Sequence, residues 1–87
     1  MSDESPLQFP CHFPIKVVGV SDPNFQALVV ESVRRYAPDL DETTVGVRHS
    51  HAGRYQSVTV TVYAYSREQL DAIYQDLSAH PQIKLAL

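Results

Sequence analysis

The segment over residues 54–65, RYQSVTVTVYAY, constrains the fold of this chain more than any other stretch. Its apolar and polar residues alternate strictly after a turn at Ala52 and Gly53, and the side chains of a β-strand alternate between the two faces of a sheet. The apolar face holds Val58, Val60, Val62 and Ala64, and the other face holds Ser57, Thr59, Thr61, Tyr63 and Tyr65. We therefore expect a sheet that helices cover on one side only.

Length and composition limit the remaining possibilities. Eighty-seven residues suffice for one domain, and an apolar share of 44% is typical of a folded chain. We expect a flexible lead-in over residues 1–10 and a single domain over residues 11–87. The net charge of −3 gives no electrostatic reason to expect binding to a phosphate backbone. The single cysteine, Cys11, excludes an internal disulfide and a cysteine zinc cluster, and we expect no cofactor.

The first residues and the hydropathy pattern predict the location. Residues 1–5 have neither the basic start nor the apolar run of a secretory signal. No apolar stretch approaches the ~20 residues that a membrane span requires. We therefore expect a cytoplasmic protein without a membrane segment.

The first half of the chain predicts a strand and a helix. Residues 13–20 form the strand, because Pro10 and Pro14 forbid a helix and favour an extended chain. Asp22 is the expected N-cap of a helix whose first position is Pro23, where the missing N–H costs nothing. Apolar residues at i, i+3 and i+4 spacing continue this helix from Phe25 to Tyr36, and Pro38 ends it.

The second half predicts the remaining elements. Residues 43–50 form a second strand with Val45 and Val47 facing the core. The segment 66–69 is a capping box, in which the Ser66 hydroxyl accepts from the Gln69 N–H while the Gln69 side chain reaches back. The apolar stripe of the second helix consists of Leu70, Ile73, Tyr74 and Leu77, and residues 83–87 alternate in a last strand.

The predicted order of elements is βαββαβ. With two right-handed crossovers this order gives an α+β ferredoxin-like plait, a four-stranded antiparallel sheet in the spatial order 4-1-3-2 with both helices on one face. Because unrelated functions share this fold, the fold alone supports no biochemical conclusion.

Three spaced motifs carry a resemblance to a known family. They are FPxxFxxKVxG over residues 9–19, YAP over residues 36–38 and GxYxSVT over residues 53–59, and the strand at residues 83–87 is similar as well. Over nearly the whole chain this pattern resembles the YbeD-like family of small bacterial proteins.

The resemblance implies a cytoplasmic plait domain that is often encoded beside lipoate-biosynthesis enzymes. The fold of that family resembles the ACT domains, which bind small effectors and regulate enzymes. The resemblance thus implies a non-enzymatic regulatory or protein-interaction domain. Its expected partners are another protein or a second copy of the chain, with a small-molecule effector besides.

The loop after the first strand is one candidate site, because ACT domains build their ligand site there. The candidate ligand-binding residues are Gly19, Ser21, Asp22 and Asn24. A helix N-terminus offers free N–H groups and the positive end of a dipole, which suit a carboxylate ligand. The alternative is a turn and cap only, because the Asp22 carboxylate takes up the same donors, and Asn24 stands where the ACT pattern favours glycine.

The sheet face without helices is the second candidate site. The candidate interaction residues are Lys16, Val18, Arg48, Tyr55, Ser57, Thr59, Thr61 and Tyr63. Exposed apolar and aromatic area of this kind often marks an interface. The alternative is an ordinary hydrated face, since antiparallel sheets commonly leave one side in water.

RNA binding is the alternative function, since RNA-recognition domains share this order of elements. Those domains stack bases on aromatic side chains at the centre of the first and third strands. The corresponding positions of the third strand are Ser57, Thr59 and Thr61, so nucleic acid is not the expected partner.

Enzymatic and metal-binding functions lack their reactive groups. An acylphosphatase-type enzyme of this fold needs an arginine, and a metallochaperone two cysteines, in the loop over residues 19–24, which has neither. We therefore expect no enzyme. His49 and His51 share a strand face, but two ligands do not complete a tetrahedral metal site. Cys11 and His12 point to opposite sides of an extended segment and do not form a catalytic pair.

Overall fold

The sheet is built around a long antiparallel pairing of its two central strands. In the computed structural model, which describes residues 8–50 and 52–87, β1 (Cys11–Val20) pairs with β3 (Tyr55–Ala64) along its whole length. The strand β2 (Gly46–His49) flanks β3, and β4 (Ile83–Ala86) flanks β1, so the order is β2-β3-β1-β4. The helices are α1 (Phe25–Arg34) and α2 (Arg67–Ser78). The predicted ferredoxin-like plait with strand order 4-1-3-2 is confirmed.

The core lies between the two helices and one face of the sheet. From the strands, it contains Ile15, Val17, Val58, Val60, Val62 and Ala64, all fully buried. From the helices, it contains Phe25, Val29, Val30, Val33, Leu70, Ile73 and Leu77. Burial of one such aliphatic or phenyl side chain contributes roughly 1.5–3 kcal/mol. The predicted division of β3 into a core face and a face without helices is confirmed.

The chain before β1 is described only from Gln8 onwards. Phe9 packs against the core, and β1 begins at Cys11. Residues 1–7 of the predicted lead-in lie outside the described residues. Neither α1 nor α2, the helices of the described ranges, is long and apolar enough to cross a membrane.

Pro14 lies in the body of β1, where a proline would normally interrupt a hydrogen-bond ladder. The register directs the backbone of even-numbered β1 residues toward β4. The Lys16 N–H donates to the Leu87 carbonyl at 3.1 Å, and the Leu87 N–H donates back at 2.8 Å. Among the described residues, β4 pairs with β1 only from Lys16 onwards. Pro14 therefore breaks no ladder hydrogen bond there.

The start of α1 differs from the prediction. The Asp22 carboxylate accepts from the Asn24 N–H at 2.7 Å, and the Asp22 carbonyl accepts from the Phe25 N–H at 3.0 Å. This is the local turn that aspartate favours, and it delays the helix by two residues. Asn24 is the N-cap, without a side-chain capping bond, so the prediction of Asp22 as N-cap is wrong.

The end of α1 also differs from the prediction. The helix stops at Arg34, and its C-cap is Arg35. Tyr36 therefore lies outside the helix and is exposed instead of completing the apolar stripe.

The start of α2 agrees with the predicted capping box in one of its two bonds. The Gln69 N–H donates to the Ser66 hydroxyl at 3.1 Å. The Gln69 side-chain oxygen, however, accepts from the Tyr65 N–H at 2.6 Å rather than from Ser66. Its amide nitrogen donates to the Tyr36 carbonyl at 2.8 Å. Gln69 thus joins the start of α2 to the segment after α1.

The second strand is shorter than predicted. Asp41 accepts from the N–H and the hydroxyl of Thr43 at 3.0 and 2.7 Å, which stabilises a 3-10 turn over Glu42–Thr44. The strand β2 therefore begins only at Gly46. Val47 lies opposite Val58 and so faces the helix side, as predicted. It remains 37% exposed, because β2 is an edge strand that neither helix covers closely.

The strand β4 contains a bulge that changes which side chains share a face. Val18 pairs with Leu85, but Gly19 pairs with Ile83, so Lys84 is an extra residue. Two residues on one strand then oppose one on the other, and the alternation shifts. Ile83 packs against the core, whereas Leu85 takes the face of Val18. The continuous alternation predicted for residues 83–87 is therefore wrong.

Candidate interaction surface

The sheet face turned away from α1 and α2, here called the open face, is a flat four-stranded surface. One row across it consists of Gly46, Thr59, Lys16 and Leu87, and the next consists of Arg48, Ser57, Val18 and Leu85. Farther along β3, Thr61 lies beside Pro14 and Tyr63 beside His12, while Tyr55 lies beside Val20 at the other end. All eight candidate interaction residues lie on this one face. Their role as a binding surface stays a prediction.

Exposed hydrophobic side chains concentrate on the open face. Eight large ones are exposed among the described residues, and only Tyr36 and Val47 lie elsewhere. Val20, Tyr55, Tyr63, Leu85 and Leu87 take open-face positions, and Tyr65, one residue beyond β3, packs against Tyr63. Scattered single apolar residues are normal on a surface, whereas a contiguous group is typical of an interaction site.

Charge is divided between the strands and the rest of the molecule. The four strands contain Lys16, Arg48 and Lys84 and no aspartate or glutamate. The strands therefore carry +3, and since the whole chain carries −3, the remaining residues carry −6. Of the three strand cations, Lys16 and Arg48 lie on the open face. Within residues 8–50 and 52–87, neither forms a salt bridge.

A shallow depression lies between these two cations. Its volume is about 200 Å³. It is lined by Lys16, Val18, Arg48, His49, Ser50, Tyr55, Gln56 and Ser57. Five of these residues belong to the predicted interaction surface. The depression thus combines two cations with the aliphatic side chain of Val18 and the ring of Tyr55, which is 46% exposed.

Aromatic rings occupy the far end of the open face. The rings of His12 and Tyr63 lie 4.9 Å apart at 51°, and Tyr65 contacts Tyr63 edge-on at 5.2 Å. The Tyr65 hydroxyl donates to the Asp39 carboxylate at 3.2 Å. This bond, followed by burial, raises the pKa of Tyr65 above its ordinary value. The three rings therefore pack on one another at this end of the open face.

The loop between β1 and α1 places its four candidate ligand residues in different environments. A Cβ at Gly19 would overlap the Phe25 ring and the Gln82 carbonyl, so the chain itself fills the space beside this glycine. The Asp22 carboxylate already accepts from the Asn24 N–H. The Ser21 hydroxyl is buried without a hydrogen-bond partner in the described part of the chain. Ligand binding here stays a prediction.

A polar network that the sequence did not indicate joins α1 to the end of α2. The Ser32 hydroxyl donates to Asp76 Oδ1 at 2.9 Å and lies 3.1 Å from His80 Nε2. Asp76 Oδ1 lies 3.4 Å from the same nitrogen, and Arg35 donates to Asp76 Oδ2 at 3.2 Å. Burial, the largest influence, raises the pKa of Asp76. Bonds from Ser32 and Tyr36 and the Arg35 charge outweigh it, so that pKa lies below its ordinary value.

These residue types suggest a catalytic triad, but their geometry does not form one. In a triad, the two ring nitrogens of the histidine separately contact the serine and the carboxylate. Here both Ser32 and Asp76 approach Nε2, and Ser32 is only 2% exposed. The network therefore holds the two helices together, and no substrate can reach the hydroxyl.

The other candidate reactive groups stay apart. Cys11 lies opposite Ala64 on the helix side of the sheet, whereas His12 lies opposite Tyr63 on the open face. Within residues 8–50 and 52–87, no three histidine, cysteine, aspartate or glutamate side chains lie close enough together to hold a metal ion. The partner that the sequence suggests for His49, His51, lies outside the described residues.

Comparisons with known proteins give the family. The model of a family described as a protein of unknown function, DUF493, matches residues 4–87. This chain belongs to the DUF493 family. A UPF0250 protein of Nitrosomonas europaea is 47% identical to it over 87 residues and covers all of both chains. A UPF0250 protein of Paraburkholderia phymatum is 48% identical over 98% of this chain and 96% of its own.

These matches confirm the resemblance to the YbeD-like family, and a solved structure confirms the fold. The solution structure of protein HP0495 from H. pylori is similar to this DUF493 chain with a TM-score of 0.75. The similarity covers 99% of this chain and 90% of that one. At 15% sequence identity, it supports the fold alone.

Sequence reasoning missed two features of this DUF493 protein. It did not place Leu85 and Leu87 on the open face, because no local signal marks a bulge at Lys84. It also missed the contact of Ser32 with Asp76 and His80. The i, i+4 spacing of Asp76, in the last turn of α2, and His80, just beyond its C-cap, was a usable signal for their contact. The approach of Ser32 depends on how the helices pack.

Proposed function

We propose that this protein is a cytoplasmic, non-enzymatic regulatory domain that binds another protein on its open face. The observation that carries the proposal is the concentration of exposed hydrophobic side chains there, six of the eight in the described residues. An interface core of aromatic and aliphatic side chains with a polar rim is typical of protein partners.

The threonines of β3 support the same function. Ser57, Thr59 and Thr61 are half-buried in the middle of the open face, where Arg48 lies beside Ser57 and Lys16 beside Thr59. Their hydroxyls offer hydrogen bonds without the desolvation penalty of a charge. A partner that covers this face therefore gains apolar contact at both ends and meets uncharged hydroxyls beside Lys16 at the centre.

A different protein fits this surface better than a second copy. Two open faces packed symmetrically would bring four cations together without a carboxylate from any strand. Like charges at an interface are unfavourable and suppress the wrong partner. In a second copy, α1 has one glutamate and one arginine, and α2 has three carboxylates and one arginine. The helix side offers only Tyr36 and Val47 as exposed large hydrophobic groups in the described ranges.

RNA binding, the alternative function, has weaker support. The rings of His12, Tyr63 and Tyr65 lie at one end of the open face and pack on one another, whereas single-strand binders present free ring faces to the bases. Fluorescence anisotropy with a labelled single-stranded RNA at 100 mM salt should give no binding. Micromolar binding that Tyr63→Ala abolishes would favour RNA over protein.

Effector binding at the β1–α1 loop is a second candidate function, which the resemblance to ACT domains suggests. The unpaired, buried Ser21 hydroxyl favours it. It borders a groove of about 530 Å³ that Gln26 and His49 also line. Titration of the twenty amino acids against the 15N-labelled protein tests this function. Shifts confined to this loop for one amino acid, lost in Ser21→Ala, would support it, and unchanged spectra throughout would contradict it.

Photo-crosslinking in cells tests the main proposal. p-Benzoylphenylalanine at Thr61 lies on the open face, and the matched position Glu68 lies exposed on α2. We expect a covalent adduct with another protein from Thr61 and none from Glu68. An adduct only from Glu68, or only a dimer of this chain, would contradict the proposal. The resemblance directs the first search for the partner to enzymes of lipoate biosynthesis.

A further inference from the structure

We propose that the partner docks through an acidic segment with apolar side chains, whose carboxylates bind Lys16 and Arg48 on the open face. This inference rests on the proposed function and specifies the chemistry of the partner. It follows from charge, geometry and the apolar groups beside the two cations.

The first argument is charge complementarity. The four strands contain no carboxylate, although the chain as a whole is acidic. Lys16 and Arg48 therefore lie on the open face without a strand residue that neutralises them. The Asp39 carboxylate contacts Tyr65 at the far end of the open face. Carboxylates of a partner would form ion pairs with Lys16 and Arg48. Arginine can bind a carboxylate through two parallel hydrogen bonds.

The second argument is the position of the two cations. Lys16 lies on β1 and Arg48 on β2, with β3 between them, and both line the depression of about 200 Å³. Neighbouring strands are about 4.8 Å apart, so strands β1 and β2 are about 10 Å apart. A segment of a few residues can therefore reach both cations with two of its own carboxylates.

The third argument is the apolar surface beside the cations. Val18 and Ser57 line the same depression, in the row that runs from Arg48 to Leu85, and Tyr55 lines it as well. Leu85 is 48% and Leu87 is 61% exposed. A purely polar anion would leave these leucines in water. An acidic segment with apolar side chains covers both the cations and the leucines.

Two designed peptides test this inference. Both are sixteen-residue amphipathic peptides with leucines on one side, flanked by glutamates in one and by lysines in the other. Titration into the 15N-labelled full chain should shift the amides of Lys16, Val18, Arg48 and Ser57 with the glutamate peptide. We expect the glutamate peptide to bind at least tenfold more tightly than the lysine peptide. We also expect its binding to weaken as NaCl rises from 50 to 300 mM.

Charge reversal of the chain is the second arm. The double substitution Lys16→Glu/Arg48→Glu should weaken binding of the glutamate peptide at least tenfold, and Lys84→Glu should change it less than twofold. Lys16→Gln/Arg48→Gln is the milder variant if the double reversal perturbs the fold. Equal binding of both peptides, shifts confined to the helix side, or an unchanged affinity of the charge-reversed chain would overturn the inference.

The two proposals fail in different ways. Suppose that Leu85→Ser/Leu87→Ser abolishes binding of the crosslinked partner and Lys16→Glu/Arg48→Glu does not. The proposal of an acidic docking segment is then refuted, whereas the proposal that the open face binds the partner is supported. If neither double variant weakens binding of the partner, both proposals are refuted.

Discussion

At the scale of single residues, Gly19 is fixed by its contacts with Phe25 and Gln82. Because a Cβ there would overlap the Phe25 ring and the Gln82 carbonyl, Gly19→Ala should destabilise the fold by about 1–3 kcal/mol. Urea unfolding measures the change. Gly46→Ala is the matched control, since a Cβ at Gly46 has no neighbour within 4 Å. Equal effects of the two substitutions would refute the packing role of Gly19.

Asp76 should make stability depend on acidic pH. Its folded pKa lies below the ordinary value, so its contribution is complete above the unfolded pKa of about 3.9 and is lost as pH falls through the folded pKa. The free energy of unfolding in urea should therefore fall from pH 5 to pH 2. Asp76→Asn should cost about 1–3 kcal/mol at pH 7 and reduce this slope.

A residual slope should remain in Asp76→Asn. The hydroxyl and backbone of Thr43 lower the pKa of Asp41 as well, so Asp41 contributes in the same direction. Asp41→Asn in the same background serves as the control. A slope that Asp76→Asn leaves unchanged would show that the network of Ser32, Asp76 and His80 adds nothing to pH-dependent stability.

At the scale of elements, Gln69 makes more hydrogen bonds than a capping box requires. Its side chain bonds the Tyr65 N–H and the Tyr36 carbonyl, while Ser66 accepts from its backbone N–H. Ser66→Ala should cost about 1 kcal/mol, and Gln69→Ala about 1–2 kcal/mol, because two further backbone groups lose their partner. Thermal unfolding compares both with Glu68→Ala, which should change stability by less than about 0.5 kcal/mol. A larger loss in Glu68→Ala would contradict this account.

The elements also separate what a sequence can predict from what it cannot. Alternation in β3 predicted its two faces, because burial repeats with the period of the strand. The start of α1 was predicted two residues early, since Asp22 is as suitable for a local turn as for a cap. The face of Leu85 was not predictable, because the bulge at Lys84 depends on pairing with a distant strand.

The same limit applies to the candidate surface. All eight residues predicted for it share the open face, because strand parity follows from the sequence. The predicted strand order also places β3 between the strands that carry Lys16 and Arg48. The depression between them depends instead on how side chains of three strands pack, which no local pattern indicates.

At the scale of the whole molecule, the sheet should respond differently to changes on its two faces. Val60 is fully buried, whereas Thr59 lies on the open face. Val60→Thr buries a hydroxyl and should cost about 1–3 kcal/mol, while Thr59→Val should change stability by less than about 0.5 kcal/mol. Urea unfolding of both variants is the measurement. Comparable losses would mean that the two faces do not differ in burial.

The open face carries Lys16 and Arg48 beside exposed apolar side chains, whereas α2 has three carboxylates and one arginine. These exposed groups are not part of the core, which lies between the sheet and the helices. We interpret the open face as a surface for another protein.

The amount of partner that co-purifies with Leu85→Ser/Leu87→Ser tests this interpretation most directly. Both leucines are exposed, so the free energy of unfolding of the variant should lie within about 1 kcal/mol of that of the unsubstituted protein. Lys84→Ser, a substitution of their neighbour on β4, is the matched control. We predict at least a tenfold loss of partner in the double variant, and none in the control. Unchanged co-purification of the partner with a folded double variant would contradict the account.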